Sequence, residues 1–368
     1  MKKKKILFCA TTPMNYAMFK PLHQRLRRDP RIELWFTAHH DCRALYRSVG
    51  LEGENLISHV RSLFSRYDMR ICPSFYYERN NARVAVQIFH GCSLKNRAVH
   101  KKALAYDRLF LIGPYMRQKF IQTWHLHEDD PRLVNVGMPK LDAFFNGSLD
   151  AAAIRQRLNL DPRLPTVIYA PTRTTETSSS LQLYGKQIIT ALGSLPVNVL
   201  VKLHDRAFKR WKSSMKEDWN HILEQYRDHP RIRPVFDYDI VPYLFISDLL
   251  VSDISSVVNE FTLLDRPIVL IHVPRLIANY KRIEQRRGLT VCDLEQWGQS
   301  VGHLVSDMSD LAAVVAHALE HPEEKREIRH EFARRFFFNP GMATDHALKH
   351  LYALLDLDAG EQTLQTDE

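Results

Sequence analysis

The fold is decided by residues 237–271, which read DYDIVPYLFISDLLVSDISSVVNEFTLLDRPIVLI. An apolar segment over 247–251 runs into small, cap-forming residues, and apolar residues then recur at helical spacing over 257–264. Arg266-Pro267 ends that helix, and the wholly apolar segment 268–271 is typical of a buried parallel strand. The pattern therefore predicts a strand, a tight turn, a helix and a second strand, which together form a βαβ unit.

The turn inside this unit is a candidate anion site. In a βαβ unit the loop after the first strand carries the helix N-terminus, whose backbone N–H groups and dipole favour a negative charge. Asp253, Ser255 and Ser256 occupy that turn, so the two serines stand where a phosphate would bind. The alternative is that one of these three side chains only caps the helix, which is the commoner use of such residues.

Length and composition describe a soluble, enzyme-sized protein. The chain has 368 residues, of which 45% are hydrophobic. It can therefore bury a large core, and its length favours two domains of ordinary size. The five cysteines lie at positions 9, 42, 72, 92 and 292, without a C-x-x-C pair. This spacing argues against a zinc ribbon, a redox motif or a disulfide framework, and it favours a reducing cytoplasm.

The basic balance of the chain restricts its partners. The formal net charge is +9, and basic residues cluster at 2–5, 25–31, 95–102, 202–212 and 281–287. Anionic substrates, an anionic lipid surface and nucleic acid could each bind such clusters. The sequence has no helix-turn-helix, zinc-finger or aromatic-basic RNA-binding signature, so nucleic acid is not expected.

The first residues predict a β-strand with a basic lead-in. Four lysines precede a short apolar run at 6–10, and threonines and a proline end that run. The run is too short for a signal peptide, and no stretch of the chain is long enough to span a bilayer.

Strands and helices alternate along the chain. The predicted strands are 5–10, 32–36, 69–72, 84–89, 109–112, 133–136, 166–170, 197–203, 247–251, 268–271 and 289–292. The predicted helices are 14–26, 42–49, 98–105, 115–124, 181–192, 208–226, 240–246, 257–264, 311–319, 323–338 and 344–355. Such alternation predicts parallel sheets covered by helices on both faces.

The predicted fold class is α/β, with two Rossmann-like lobes, a cleft between them and closing C-terminal helices. Turn residues over 146–165 mark the boundary between the halves. We expect a first lobe over 1–146 and a second over 147–335. The remaining residues, 336–368, are expected to form a helix that packs back toward the first lobe and a polar tail.

Four strand-exit loops carry charged or reactive side chains. They read FHGCSLK (89–95), YAPTR (169–173), KLHDR (202–206) and SDISS (252–256). Open α/β sheets bind ligands at the carboxyl ends of their strands, so we expect all four loops to face the cleft.

Two histidines in these loops are candidates for acid–base chemistry. His90 is followed by Gly91, which lets a ligand approach the backbone, and His204 lies between Lys202 and Arg206 in a setting suited to phosphate. Either histidine could instead be structural. No G-x-G-x-x-G follows the first strand, so a nicotinamide or flavin cofactor is not expected.

Two further patterns look like metal ligands. Asp237-Tyr238-Asp239 has the D-x-D form of metal-dependent glycosyltransferases, but it precedes a predicted helix and is better explained as its cap. Residues 125–130, HLHEDD, favour a solvated turn over a metal site. No metal is expected.

Together these loops resemble the CDP-glycerol glycerophosphotransferase family, which includes poly(glycerol phosphate) and teichoic-acid-type polymerases. Residues 89–95 match the family pattern [WF]-H-G-x-x-x-K, and residues 169–173 match Y-A-P-T-[WFR]. Residues 202–204 match K-x-H of a K-x-H-P motif, with Asp205 in place of the proline.

The resemblance extends over most of residues 84–350. Residues 247–268 match S-D-x-L-I-T-D-Y-S-S-x-x-x-[DE]-F-x-x-L-x-[KR]-P-I, with Ile254 where tyrosine is common and Glu260 at the acidic position. Residues 137–142, GMPKLD, are similar to the family's G-x-P-R-x-D segment.

The resemblance implies a GT-B-like fold, a CDP-activated donor, and neither a cofactor nor a catalytic metal. The first lobe would then be the acceptor side and the second lobe would bind the donor. His90 would be the base that activates the acceptor hydroxyl, and His204 would stabilise or protonate the departing nucleotide phosphate. Gly91 and Lys95 would lie on the acceptor side. The implied donor-binding residues are Thr172, Arg173, Lys202, Arg206, Asp253, Ser255, Ser256 and Glu260.

We therefore expect a transferase of cell-envelope synthesis, acting on teichoic acid or capsule. It would move glycerol phosphate, or a related polyol or sugar phosphate, to a hydroxyl of a cell-surface glycan or its lipid-linked precursor. The alternatives are a sugar-nucleotide glycosyltransferase, an enzyme like UDP-N-acetylglucosamine 2-epimerase, and a nucleotide-binding protein of the same fold without activity. The expected location is the cytoplasm, with peripheral attachment to an anionic inner membrane face through the clusters at 2–5 and 25–31.

Overall fold

The chain forms two compact units. The computed structural model describes residues 2–38, 41–51, 53–73, 81–91, 94–95, 98–172, 178–208, 217–286 and 298–358. Unit 1 comprises Met1–Cys92, Arg97–Asn146 and Arg334–Glu368. Unit 2 comprises Ser93–Asn96 and Gly147–Ala333.

Unit 1 is built on a parallel sheet. Its strands are β1 (Lys4–Ala10), β2 (Ile32–Ala38), β3 (Asn55–Leu56), β4 (Tyr67–Cys72), β5 (Ala82–Ile88), β6 (Arg108–Leu111) and β7 (Leu133–Asn135). Its helices are α1 (Pro13–Leu26), α2 (Cys42–Arg47), α3 (His59–Leu63) and α4 (Pro114–Trp124), with 3-10 turns at Lys101–Ala105 and Pro139–Phe144.

The strands of unit 1 lie in the order β3-β2-β1-β4-β5-β6-β7. All of these neighbours pair in parallel, so helices must connect them across the faces of the sheet. Aromatic side chains fill the core beside β1: the ring of Phe8 stacks on Phe19 at 4.7 Å and on Phe36 at 5.4 Å. Burial of this apolar surface is what holds α1 and β2 against the central strand.

Unit 2 is built on a second parallel sheet. Its strands are β8 (Thr166–Tyr169), β9 (Asn198–Val201), β10 (Ile232–Pro234), β11 (Leu249–Ser252), β12 (Ile268–Ile271) and β13 (His303–Val305), in the order β10-β9-β8-β11-β12-β13. Its helices are α5 (Ala151–Arg157), α6 (Ser180–Ser194), α7 (Trp219–Glu224), α8 (Val241–Ile246), α9 (Val257–Phe261), α10 (Pro274–Arg286) and α11 (Leu311–Glu320). Every residue of β8, β9, β11 and β12 is buried, as a sheet covered on both faces requires.

The C-terminal segment returns to unit 1. Helix α12 (Arg326–Phe336) contains the unit boundary, and α13 (Ala343–Leu354) lies wholly in unit 1. The two carboxylate oxygens of buried Asp142 accept the N–H groups of Ala343 and Thr344 at 3.1 and 2.6 Å, which satisfies the start of α13. A Cβ built on Gly113 would lie 1.9 Å from the carbonyl oxygen of Phe336, so only glycine fits there.

The parallel α/β fold class confirms the prediction from the sequence. Strand β12 has the predicted bounds, and β1, β2, β5 and β8 agree within two residues at each end. The described part of the chain has no helix with the length and apolar content needed to cross a bilayer.

Several predicted elements are wrong or incomplete. The helix predicted over 208–226 does not continue through residues 217–218, where Asp218 accepts the N–H groups of Asn220 and His221 and so starts a separate helix, α7. Residues 209–216 lie outside the described residues. The helix predicted over 98–105 is only a 3-10 turn at Lys101–Ala105. The strand predicted over 289–292 lies outside the described residues.

Candidate functional site

Asp253 connects two strand-exit segments of unit 2. It follows β11, and its side chain is 2% exposed. One carboxylate oxygen accepts the N–H of Thr172 at 2.8 Å. The other accepts the N–H of Ser180 at 3.0 Å and its hydroxyl at 2.9 Å. The carboxylate therefore fixes both the exit of β8 and the first residue of α6.

The hydroxyl of Ser180 extends this network to Tyr169, whose hydroxyl lies 3.0 Å away. Burial raises the pKa of the Asp253 carboxyl, while the hydrogen bonds from Ser180 and Thr172 and the positive charge of Lys95 oppose that rise. A buried carboxylate with this set of donors is a structural hub. These contacts fix Thr172 and Ser180 around Asp253, while its place in the donor site, which the resemblance implies, stays a prediction.

Lys95 contacts the same network. Its ammonium donates a hydrogen bond to Thr172 Oγ1 at 2.7 Å and lies 5.2 Å from the ring centroid of Tyr280 on α10. The structure thus joins three predicted motifs through Lys95, Thr172 and Asp253. Lys95 belongs to unit 2, whereas His90, in the same seven-residue motif, belongs to unit 1.

Lys202 and His204 lie at the exit of the neighbouring strand, β9. The backbone N–H of Lys202 donates to the carbonyl of Tyr169 at 3.0 Å, which holds the exits of β8 and β9 side by side. The ammonium of Lys202 is buried and donates to the carbonyl of Leu203 at 3.1 Å. His204 is half-buried, and its carbonyl accepts the N–H of Ala207 at 2.8 Å.

Ser255 and Ser256 precede α9, and both are half-buried. Ser256 occupies the N-cap position of α9, but its side chain makes no capping hydrogen bond. Asp253 does not cap α9 either, because its carboxylate oxygens accept from Thr172 and Ser180. Glu260 is 2% exposed within α9, so its carboxylate is a core group.

His90 follows β5 in unit 1. The preceding residue, Phe89, is buried and packs against Phe120 with ring centroids 5.7 Å apart, which anchors the strand exit. His90 itself is exposed, and its Nδ1 lies 3.1 Å from the carbonyl oxygen of Pro73. Gly91 is half-buried beside it.

A carbonyl oxygen can only accept a hydrogen bond, so the proton of neutral His90 must sit on Nδ1. The lone pair then lies on Nε2. In this tautomer Nε2, on the side of the ring away from Pro73, can accept a proton, as a general base must.

Two predicted site residues lie partly or wholly outside the described structure. Arg173 is not among the described residues. The backbone of Arg206 forms part of a 3-10 turn, Asp205–Phe208, and the description does not extend to its side chain.

The two metal-like patterns differ in their described contacts. Asp239 accepts the N–H of Val241, the first residue of α8, at 3.0 Å, and Asp237 accepts the hydroxyl of Tyr243. His127 and Asp129 form an exposed pair at 3.8 Å. Among the described residues, no three histidine, cysteine or acidic side chains are grouped as metal ligands.

Sequence reasoning missed Pro73, Ser180 and Tyr280. Pro73 contributes only a backbone carbonyl, which no side-chain pattern reports. Ser180 directly precedes the helix predicted over 181–192, and serine before an apolar helix is a usable signal. Tyr280 recurs with Leu276 and Ile277 on the buried face of α10, so its spacing indicates core packing only.

The comparisons with known proteins agree with one another. The profile of the family described as CDP-Glycerol:Poly(glycerophosphate) glycerophosphotransferase matches residues 1–350. The teichoic acid glycerol-phosphate primase of Bacillus spizizenii is 29% identical over 175 residues, which cover 47% of this chain and 42% of the primase. The chain thus spans less than half the length of that relative.

Three solved structures show the fold. The wall teichoic acid polymerase TagF has a TM-score of 0.70 at 16% identity, covering 96% of this chain and 89% of that chain. A TagF variant soaked with CDPG has a TM-score of 0.67. A protein from Listeria monocytogenes assigned as a UDP-N-acetylglucosamine 2-epimerase has a TM-score of 0.63 at 12% identity, covering 98% of this chain and 99% of that chain. These likenesses confirm the expected GT-B-like fold class.

Proposed function

Because this chain belongs to the CDP-glycerol:poly(glycerophosphate) glycerophosphotransferase family, we propose that it transfers glycerol phosphate from CDP-glycerol to an acceptor hydroxyl of a teichoic-acid-type glycan. The observation that carries the proposal is the match of the family profile to residues 1–350. The name of the Bacillus primase supports glycerol phosphate as the transferred group, and the CDPG-soaked TagF variant supports the donor. The acceptor hydroxyl belongs to a cell-envelope glycan or to its lipid-linked precursor.

His90 is the proposed general base. Its Nδ1 is committed to Pro73 O, so Nε2 takes the proton of the acceptor hydroxyl. The acceptor oxygen then forms a bond to the phosphorus that bears glycerol, and the bond from that phosphorus to the bridging oxygen of CMP breaks. CMP leaves with the electron pair of the broken bond.

Unit 2 is proposed to bind and stabilise the leaving phosphate. His204 stabilises or protonates the departing CMP, and Ser255 and Ser256 hold phosphate oxygens at the turn after β11. Lys202 adds positive charge at the neighbouring strand exit. Thr172, Arg173 and Arg206 are the remaining proposed donor-site residues.

A sugar-nucleotide enzyme is the second candidate, because the Listeria protein assigned as an epimerase shares the fold along 98% of this chain. The two candidates break different bonds. Attack at phosphorus releases CMP from CDP-glycerol, whereas attack at a sugar carbon releases UDP from a UDP-sugar.

A donor panel tests the proposal. The protein is incubated with CDP-glycerol, CDP-ribitol, UDP-N-acetylglucosamine and a glycan acceptor, and the released CMP, CDP and UDP are separated and quantified. Acceptor-dependent release of CMP from CDP-glycerol is expected. Release of UDP alone would establish the sugar-nucleotide alternative, and tight nucleotide binding without any release would favour the non-enzymatic alternative.

Attachment to an anionic membrane is a further part of the proposed function. Lys2 and Lys3 precede β1, and Arg27 and Arg28 follow α1; all four are exposed. Lys4 pairs with Ile32 at the start of β2, so these residues collect at the amino-terminal edge of the sheet in unit 1. Each basic residue near an anionic bilayer contributes about 1 kcal/mol, so four could bring the enzyme to a lipid-linked acceptor.

Helix α3 adds apolar side chains to this edge. Phe64 is 86% exposed and Val60 is 65% exposed, one helical turn apart, and Arg61 and Arg66 beside them are exposed as well. An exposed aromatic residue flanked by arginines fits a membrane interface, where the ring enters the headgroup region and the cations meet lipid phosphates.

A further inference from the structure

We propose that Lys95 binds the diphosphate of the nucleotide donor, and that Thr172, fixed by Asp253, positions its ammonium. The inference rests on the proposed function, because it takes a nucleotide donor as given. It moves Lys95 from the acceptor side, where its motif was expected to act, to the donor site.

The first step is the location of the ammonium. Lys95 is half-buried and grouped with unit 2, at the exit of β8. Open α/β sheets bind their ligands at the carboxyl ends of such strands. In this sheet β8 lies between β9 and β11, so the proposed phosphate-binding residues come from the strands on either side of it.

The second step is the way in which the ammonium is held. Its hydrogen-bond acceptor is the neutral hydroxyl of Thr172 at 2.7 Å, and the ring of Tyr280 lies 5.2 Å away. Both contacts orient the ammonium, whose charge also interacts with the carboxylate of Asp253. An ammonium has three N–H donors, which suits several phosphate oxygens at once.

The third step is the rigidity of Thr172. Its side chain is 2% exposed, and its N–H donates to Asp253 at 2.8 Å. Asp253 is in turn bound to Ser180 at the start of α6. Thr172 thus has the fixed geometry expected of a positioning residue, since a buried network has few alternative arrangements.

Chemistry favours a diphosphate as the group recognised. A donor nucleotide carries its negative charge on that group, whereas an acceptor hydroxyl is neutral before it reacts. A preorganised cation stabilises the charge that moves onto the departing CMP. We therefore infer that Lys95 contributes both to donor binding and to turnover.

The test separates charge recognition from general damage. Binding of CDP and of cytidine is measured by calorimetry for wild type, Lys95→Met and Thr172→Val. Lys186→Met is the matched control, because Lys186 is a lysine of unit 2 paired with Glu217 on the surface. Lys95→Met should weaken CDP binding about 10- to 100-fold and leave cytidine binding unchanged, because an interaction with a charged group is worth about 1.5–3 kcal/mol.

The positioning role has its own readout. Thr172→Val keeps the shape of the side chain and removes the hydroxyl, so CDP binding should weaken by roughly 3- to 10-fold. Thr172→Ser keeps the hydroxyl and should restore most of the affinity. Lys95→Arg, which keeps the charge, replaces the methionine variant in the test if that variant does not fold. It should bind CDP more tightly than Thr172→Val does.

Three outcomes would overturn the proposal: unchanged CDP binding by folded Lys95→Met, equal loss of CDP and cytidine binding, or no nucleotide binding by wild type. A wild type that prefers UDP to CDP would instead contradict the proposed donor. The same comparison of Lys95→Met with wild type would then be made with UDP and uridine.

Discussion

At the scale of single residues, His90 and His204 have different surroundings. His90 has a defined tautomer set by Pro73 O, while His204 is a half-buried residue at the exit of β9. We expect His90→Ala and His204→Ala each to lower turnover by at least about a hundredfold, the usual scale for a positioned acid or base. The measurement is initial-rate CMP release from CDP-glycerol.

The matched control for both variants is His127→Ala, since that side chain is exposed and its only described partner is an exposed aspartate. Melting curves of all three variants should agree with wild type. Near-normal turnover by a well-folded His90 or His204 variant would show that the residue is not catalytic.

A second residue-scale prediction concerns Asp29, which binds two groups from different segments. Its Oδ2 accepts from Arg31 at 2.7 Å and from the hydroxyl of Tyr352, on α13, at 2.9 Å. The hydrogen bond from Arg31 holds the pKa of the Asp29 carboxyl below its ordinary value, and Tyr352 lowers it further. Because the folded-state pKa is lowered, the stabilisation is present above the unfolded-state pKa of about 4 and is lost as the pH falls through the folded-state value.

Asp29→Asn should therefore unfold more easily than wild type at pH 7, by about 1 kcal/mol, and the two proteins should converge as the pH falls below about 4. Urea unfolding at pH 7, 5, 4 and 3 measures this difference. Asp129→Asn is a matched control, since Asp129 is an exposed aspartate beside His127. A difference that stays constant down to pH 3 would mean that the charge of Asp29 is unimportant.

The sequence identified most of the candidate residues but not their partners. Thr172, Asp253 and Lys95 each stand in a motif, yet Lys95 and Thr172 are 77 positions apart, and no local pattern reports such a contact. The carboxylate of Asp253 shows the same limit. A helix-start pattern predicted a cap or a phosphate site. In the structure the buried carboxylate oxygens of Asp253 instead accept N–H groups from two other segments.

At the scale of elements, α3 tests the membrane proposal. Phe64→Ser should reduce binding to phosphatidylglycerol-rich vesicles about 3- to 10-fold, because the ring is the most exposed of the large hydrophobic side chains described. Sedimentation with liposomes at low salt measures the loss. Phe236→Ser is the matched control, because Phe236 is a 58% exposed aromatic residue of unit 2.

Wild-type binding should fade as the ionic strength rises, since the basic edge acts through charge. Equal binding to anionic and neutral vesicles at low salt would contradict the electrostatic part. An equal loss for Phe64→Ser and Phe236→Ser would contradict the role of α3.

Elements were predictable from the sequence where burial and boundaries coincide. Strand β12 follows a proline, which marks its start, and its wholly apolar run marks its extent. Strand β13 has only one buried residue out of three and lies at the sheet edge, so its hydrophobic pattern is too weak to read. The predicted 208–226 helix failed because continuous basic and apolar spacing does not reveal the capping interaction of Asp218.

At the scale of the whole molecule, the chemistry is assigned to side chains rather than to a cation. Histidines, serines and lysines supply the proposed proton transfer and anion stabilisation, and Asp237 and Asp239 have other partners. We expect transferase activity to survive EDTA, measured as CMP release before and after chelation. A manganese-dependent glycosyltransferase assayed in parallel shows that chelation is complete.

Loss of activity on chelation, with recovery on addition of manganese or magnesium, would contradict this prediction. Asp237 and Asp239 would then be the first residues to replace. The overall architecture was the most predictable level, because strands that alternate with helices along the sequence allow little besides parallel sheets.

The return of the C-terminal segment to unit 1 has a consequence for biosynthesis. A ribosome makes β1 to β7 first, then nearly all of unit 2, and only afterwards Phe336 and helix α13. Until then the backbone at Gly113 lacks its close neighbour, and Asp142 lacks the two N–H groups that it accepts. The N-terminal half of the nascent chain therefore stays incompletely covered until unit 2 has been synthesised. Chaperones would be needed most during that interval.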